Sequence, residues 1–278
     1  RDVIVVASVS CIYNLGVPVN YFGASLYLEN GKLITRGDLI RQLIRIQLKR
    51  TNLSLSRGYF RIRGDVFEIM PASGEVVYYV EIKDQKIKDL ALIDPVEQKI
   101  KEKLKELIIF PPKHFISNEP QRDKAIEEIK NELKERVSYF NKKGLLLEAE
   151  RLERRTRYDI QMLKSIGYCH GIENYSRHLS GKMTGEPPDT LISYFPYKDG
   201  KPDFLTVIDE SHIAVPQLGG MYAGDRSRKE TLIEYGWRLP SALDNRPLKF
   251  EEFLKRVSTV IFTSATPGEF EKKHSKQT

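Results

Sequence analysis

The sequence predicts an α/β fold: part of a parallel sheet, interrupted by an inserted antiparallel α+β domain and a helical accessory domain. Three observations predict it. First, three apolar runs, Asp2–Ser8 (DVIVVAS), Phe204–Asp209 (FLTVID) and Val257–Ser264 (VSTVIFTS), are β-branched, continuous rather than alternating, and end in small or polar residues. That is how strands covered on both faces of a parallel sheet read. Second, the first two runs lie far apart, so something large is inserted between them. Third, the intervening sequence passes from alternating segments to a long, highly charged stretch of helical periodicity.

The chain has 278 residues, 40% hydrophobic and 30% charged, and a net charge of +7. This suits a globular chain of about two domains, one of them interrupted, and a basic balance suits a polyanionic partner. No apolar run is long enough to span a bilayer and no signal peptide opens the chain, so no membrane contact and a cytoplasmic location are expected. The only cysteines are Cys11 and Cys169, which argues against a disulfide framework. Cys169-His170 lacks a second pair at ligand spacing and is read as structural rather than as half a metal site.

In chain order, residues 1–19 open the parallel sheet. The insertion, residues 20–117, begins after Gly16-Val17-Pro18. Leu26–Leu28 and Leu33–Thr35 flank Asn30-Gly31, a hairpin signal. Asp38 is placed to cap a helix over Leu39–Lys49, whose apolar face carries Leu39, Leu43 and Ile46. Tyr59–Met70, Val76–Ile82 and Ile87–Ile93 alternate, with turns at Pro71–Gly74 and Asp84-Gln85; Leu107–Phe110 and Pro111-Pro112 close the domain. Residues 118–200 form the helical accessory region. Gly144 divides it into a two-helix hairpin or bends one helix; the third possibility, a coiled-coil spacer, is opposed by Leu145–Leu147, which spoil a heptad. Ile172–Leu179 is a short helix, and residues 201–278 return to the parallel sheet.

Chemistry concentrates at Asp209-Glu210-Ser211-His212, where an apolar strand ends in two carboxylates. Nucleotide hydrolysis needs one carboxylate for hydrated magnesium and one for the attacking water. Asp209 suits the metal, through water, and Glu210 the catalytic role; the alternative is a pair of ordinary loop acids. Ser264-Ala265-Thr266 follows the third strand, and the hydroxyls of Ser264 and Thr266 suit coupling of the carboxylate box to a DNA-binding surface. A phosphate-cradling G-x-x-x-x-G-K-[ST] loop is absent, and Gly181-Lys182-Met183-Thr184 lacks the upstream glycine and does not follow a strand. The expected sheet is therefore a partial P-loop NTPase of the helicase type. It is expected to start after the first motor motif and stop before a second lobe, and this polypeptide alone is expected neither to hydrolyse ATP nor to open DNA.

Several long stretches carry a resemblance. Asp2–Tyr13 (DVIVVASVSCIY), Arg57–Glu68 (RGYFRIRGDVFE), Ile166–Leu179 (IGYCHGIENYSRHL), Asp209–His212, the run Gly220–Phe253 and Thr263–Gly268 (TSATPG) resemble the UvrB family of the bacterial UvrABC nucleotide excision repair system. The resemblance implies ATP and Mg2+ as cofactors and UvrA, UvrC and damaged DNA as partners. It implies that the insertion docks UvrA, through Arg50, Arg61 and Arg63; Arg61 and Arg63, two apart on a strand, share one face. It further implies DNA contacts at Ser10, Tyr13, Glu173, Trp237 and Arg238. Asn14 stands where glycine is usual. Arg226, Arg228 and Lys229 form a basic cluster whose plain reading is a solvated face. Two readings follow: a component of an ATP-dependent repair helicase, or a UvrA-binding module with a non-functional motor half. A third, a restriction-type or transcription-coupled repair motor with a similar docking domain, is disfavoured by the Gly220–Phe253 run.

Overall fold

The computed structural model describes residues 3–115 and 119–277, and the chain divides into two compact units, residues 19–116 and residues 1–18 with 117–278. The helix Pro18–Gly23 (α1) crosses the first boundary.

In the first unit, strand Leu26–Glu29 (β1) is followed by helix Arg36–Arg45 (α2) and strand Lys49–Arg50 (β2). Then come Tyr59–Arg63 (β3), Val66–Met70 (β4), Val77–Lys83 (β5), Lys86–Ile93 (β6), Ile100–Leu104 (β7) and Glu106–Ile109 (β8). Strands β2 to β7 form one six-stranded sheet in sequence order, antiparallel except at β2–β3. Alternation turns one face inward, where Phe60, Phe67, Ile69, Val80 and Leu90 bury against Leu39 and Leu43 of α2.

Three local expectations are corrected. The hairpin around Asn30-Gly31 does not form: the chain turns there, but β1 pairs antiparallel with the distant β8, Leu26 opposite Ile109 and Leu28 opposite Leu107. That pairing buries all four apolar side chains, a gain no local turn signal offsets. Asp38 is not the cap of α2. Thr35 is, its hydroxyl accepting the Asp38 N–H at 3.1 Å, so the helix starts earlier and ends at Arg45. The run Tyr59–Met70 is two strands, folded at Gly64, whose φ of 58° favours glycine.

In the second unit, Glu119–Lys142 (α3) and Leu146–Ile166 (α4) form a hairpin through Gly144, at φ 73°, which decides between the alternatives left open. Ile126, Ile129, Leu133 and Phe140 of α3 bury where α3 packs on α4, which buries Ala149, Leu152, Ile160 and Leu163. Ser176–Ser180 (α5) follows a 3-10 turn at Ile172–Tyr175. A short pair, Tyr197–Lys198 (β9) and Lys201–Pro202 (β10), leads to Leu205–Ile208 (β11). Helix Ser211–Glu234 (α6), absent from the sequence reading, precedes Phe250–Leu254 (α7), strand Thr259–Phe262 (β12) and helix Glu269–His274 (α8).

β11 and β12 pair in parallel, Leu205 with Thr259 through Ile208 with Phe262. They are not covered on both faces: Leu205, Val207 and Ile261 are exposed, while Ile208 joins a core with Ile12, Val215, Leu218, Leu248 and Phe253. The run Asp2–Ser8 is also corrected. Asp2 lies outside the described residues, and residues 3–8 form no strand, leaving Val3, Ile4 and Val6 exposed. An apolar run becomes a strand only where a neighbour takes its N–H and C=O groups. Here residues 4–8 line an open apolar groove of about 580 Å³ beside β11 without pairing to it.

Candidate nucleotide and DNA site

Asp209 stands at the carboxyl end of β11, and Glu210 is the residue before α6. One Asp209 carboxylate oxygen accepts the Thr263 hydroxyl at 2.7 Å and the Glu210 N–H at 3.0 Å. The ladder continues past both strands, with Thr263 N–H donating to Ile208 O and Ser211 N–H to Thr263 O, each at 3.0 Å. These bonds fix the Asp209 backbone at the end of a parallel pair, where ligands of α/β sheets gather. Glu210 adopts left-handed backbone, φ 44°, unusual without glycine, and its side chain stays in solvent, with a carboxylate oxygen 3.5 Å from His212 Nδ1. The Ser264 hydroxyl hydrogen-bonds His212 Nδ1 at 2.7 Å and accepts the Thr266 N–H at 3.1 Å. The Ser264–Thr266 segment thus touches His212 of the box, while the residue holding Asp209 itself is Thr263, which sequence reasoning missed.

The donor set fits magnesium held through water. Among the described residues no group of three histidine, cysteine or acidic side chains converges on one point. Mg2+ at phosphate sites takes one or two carboxylates and fills its octahedron with water and phosphate oxygens, a demand Asp209 alone can meet.

The arginines divide. Arg61 is half-buried and ion-paired to Glu68 of β4, while Arg63 is largely exposed with its Nε 3.9 Å from the same carboxylate, so the two do share a face. Arg50 is exposed on the edge strand. Register sets Lys49 beside Tyr59 and Arg50 beside Phe60, so alternation starts Arg50 on the other face.

Ser10 lies in a 3-10 turn, Val9–Ile12, its hydroxyl 2.5 Å from that of Ser8. Burial, then the charge of Asp225, pushes the Tyr13 phenol up, against Arg228. Burial and then Arg155 push the Arg238 guanidinium down, while Tyr175, Asp159 and Glu173 oppose. Glu173 also acts on Lys229. Asp225 thus acts on both Tyr13 and Lys229, and Glu173 on both Lys229 and Arg238. Trp237 accepts from Arg238 through its carbonyl at 2.9 Å, and its ring lies against Arg151 of α4. The reading of Lys229 as part of a solvated basic face is corrected. It is 4% exposed and donates to Asp225 at 2.7 Å and to Asn245 O, because its neighbours supply the acceptors that let an ammonium leave water. The i, i+4 spacing of Asp225 and Lys229 was visible in the sequence; the Asn245 carbonyl was not. Asn14 closes its turn by accepting the Gly16 N–H at 3.0 Å.

Cys169 is 1% exposed, and burial, followed by Asp159 and Glu173, pushes its thiol up to about 12. It is expected to resist a thiol-reactive disulfide dye at pH 8 in the folded protein and to react once unfolded, since only the thiolate attacks. With Cys11 replaced by serine so that only this thiol reports, labelling of the native protein at the unfolded rate contradicts this.

Residues 26–115 match the UvrB interaction domain, and residues 120–181 match the UvrB third helical domain. The chain is 52% identical over 276 residues to the UvrABC system protein B of Synechococcus sp. (strain JA-2-3B'a(2-13)), covering 99% of this chain and 39% of that protein. It is 51% identical over 278 residues to that of Carboxydothermus hydrogenoformans and 49% identical over 278 residues to that of Aromatoleum aromaticum, covering 41% and 40% of those proteins. The chain thus spans about two fifths of the length of these relatives. No helix among the described residues is long and apolar enough to cross a membrane. With two adjacent UvrB domain matches and about half its residues identical along the whole length, the chain belongs to the UvrB family.

Proposed function

We propose that this chain acts in UvrABC nucleotide excision repair, docking UvrA through residues 19–116 and serving ATP-dependent verification of DNA damage through the Asp209–Glu210 box. The observation that carries the reading is the coincidence of the interaction-domain match, residues 26–115, with a unit that has its own core and a basic strand face. Magnesium, when bound with ATP, supplies charge neutralisation to the phosphates. Asp209 would hold its water shell, and Glu210 would orient a water toward the terminal phosphate, once a phosphate-cradling loop holds the nucleotide there. Ser264, tied to His212, and Thr266, tied to Ser264, pass the state of the box toward the DNA surface formed by Ser10, Tyr13, Glu173, Trp237 and Arg238. The verified site then passes to UvrC.

The test is a titration with purified UvrA. Arg50→Glu and Arg63→Glu are expected to weaken binding by roughly threefold each, with an unchanged melting profile. Arg61→Glu serves a different purpose. It places two carboxylates together in a half-buried site, so it is expected to cost the unit about 2 kcal/mol and cannot report docking alone. UvrA affinity unchanged in the Arg50/Arg63 double reversal defeats the docking reading.

A further inference from the structure

The α3–α4 hairpin meets the last turn of α6 in a surface of which only Trp237 has been assigned a role. Arg136 of α3 donates to Ile233 O at 3.3 Å, and its guanidinium lies 4.3 Å and 4.5 Å from the ring centroids of Tyr139 and Phe140. Lys143, just beyond α3, sits 4.7 Å from the Tyr139 centroid. Arg151 of α4 donates to Tyr235 O at 2.6 Å and covers one face of Trp237 at 4.3 Å. Both outer rings remain open: Tyr139 is 39% and Trp237 44% exposed.

The charge here is uncompensated. Elsewhere on the same helices, cations meet acids, as in Lys124–Glu128, Lys130–Glu127 and Arg157–Glu153. Among the described residues, no carboxylate oxygen lies within 4.0 Å of Arg136, Lys143 or Arg151, although Glu148, Glu150 and Glu234 occur in the same stretches. The Nε of Arg136 is buried without a hydrogen-bond partner. The Lys143 hydrogen bond, opposed by burial and reinforced by the charges of Lys143 and Arg136, holds the Tyr139 hydroxyl below its ordinary value.

We propose that this surface binds single-stranded DNA, with Tyr139 and Trp237 as platforms for bases and Arg136, Lys143 and Arg151 as cations for the phosphates. Exposed rings interleaved with unpaired cations are what an unpaired strand requires: every base has a face to stack, and every linkage carries a charge. A protein partner fits less well, because the rings are separated by cations rather than joined into an apolar patch. The proposal rests on the DNA-handling part of the function above.

Trp237 is the only tryptophan in the chain, so its fluorescence reports DNA at this ring, and the Tyr139 and Lys143 variants tell this surface from the DNA contacts proposed above. Addition of oligo-dT to the 278-residue chain is expected to quench it. Tyr139→Ala and Lys143→Ala, both outside the packed core, are each expected to weaken oligo-dT binding, measured by anisotropy of a labelled strand. The tyrosine is expected to cost about fivefold or more, and the lysine to reduce the slope of log affinity against log salt by about one. Absence of oligo-dT binding, or binding that neither quenches Trp237 nor responds to either substitution, overturns the proposal; the latter outcome assigns the surface to a protein partner. The UvrA titration reads residues 19–116 and is independent of these signals, so the two readings fail separately.

Discussion

Asp225→Ala is expected to destabilise the unit that contains α6 by about 3–5 kcal/mol. The Asp225 side chain is 1% and the Lys229 side chain 5% exposed, with Nζ 2.7 Å from the carboxylate. Removing the carboxylate leaves an ammonium in a dry site with the Asn245 carbonyl as its remaining hydrogen-bond acceptor among the described residues. Burial already pushes Lys229 down, opposed by Asp225, while Arg228 adds repulsion; without Asp225 the depression deepens. A basic group depressed in the folded state binds fewer protons there than in the unfolded chain, so stability rises with pH through the folded value. The deficit of Asp225→Ala is therefore expected to shrink as pH is raised, whereas that of a pure packing defect stays constant. Asp225→Leu with Lys229→Met is expected to recover more than half the loss, because no charge is then stranded. Denaturant melts followed by Trp237 fluorescence measure all three. A deficit below about 1 kcal/mol, on the scale of an exposed pair, rejects the account.

Gly236→Ala is the second large effect, about 2–5 kcal/mol, from backbone strain together with overpacking. Gly236 adopts φ 69°, and a Cβ there meets Glu148 O at 2.4 Å and the Glu148 carbonyl carbon and Cα at 2.9 Å. All three obstacles are backbone of α4, which cannot rotate aside. The approach is fastened on both sides by Arg136 to Ile233 O and Arg151 to Tyr235 O, so separating the end of α6 from the hairpin breaks those contacts too. Gly144→Ala is the control. Its φ is 73°, but nothing lies within 4 Å of its Cβ, so only the conformational cost, about 1–2 kcal/mol, is expected. Equal melting shifts for the two variants exclude the steric explanation.

Elements with strong internal periodicity were legible in the sequence. The strands β3 to β6 turn Phe60, Phe67, Ile69, Val80 and Leu90 to one face, and period two reports that face, although Glu68 and Ala91 on the other face are buried as well. Gly144 marked the break in the helical region, and the two carboxylates after an apolar run marked the end of β11. What failed depended on a partner distant in sequence. β1 lies beside a turn signal yet pairs with β8, because Leu107 and Ile109 complete its buried face. Lys229 reads as surface charge until Asn245 and Asp225 are brought to it. Thr263, which holds Asp209, opens the TSATPG stretch, but nothing in that stretch says which of its hydroxyls reaches the carboxylate.

The run at residues 2–8 and the box at residues 209–212 mark the two sides of that boundary. Composition, periodicity and motif spacing by themselves marked the carboxylate pair at the end of β11, the inserted antiparallel sheet and the charged helices, because each is written in residues close along the chain. Only the tertiary structure decided which apolar run became a strand, which arginine of β3 is tied to Glu68 and which faces solvent, and which cations remain without an acid. Hydrogen-bond partners, burial and charge compensation belong to pairs of distant residues, and a pair has no position in a sequence until the chain has folded.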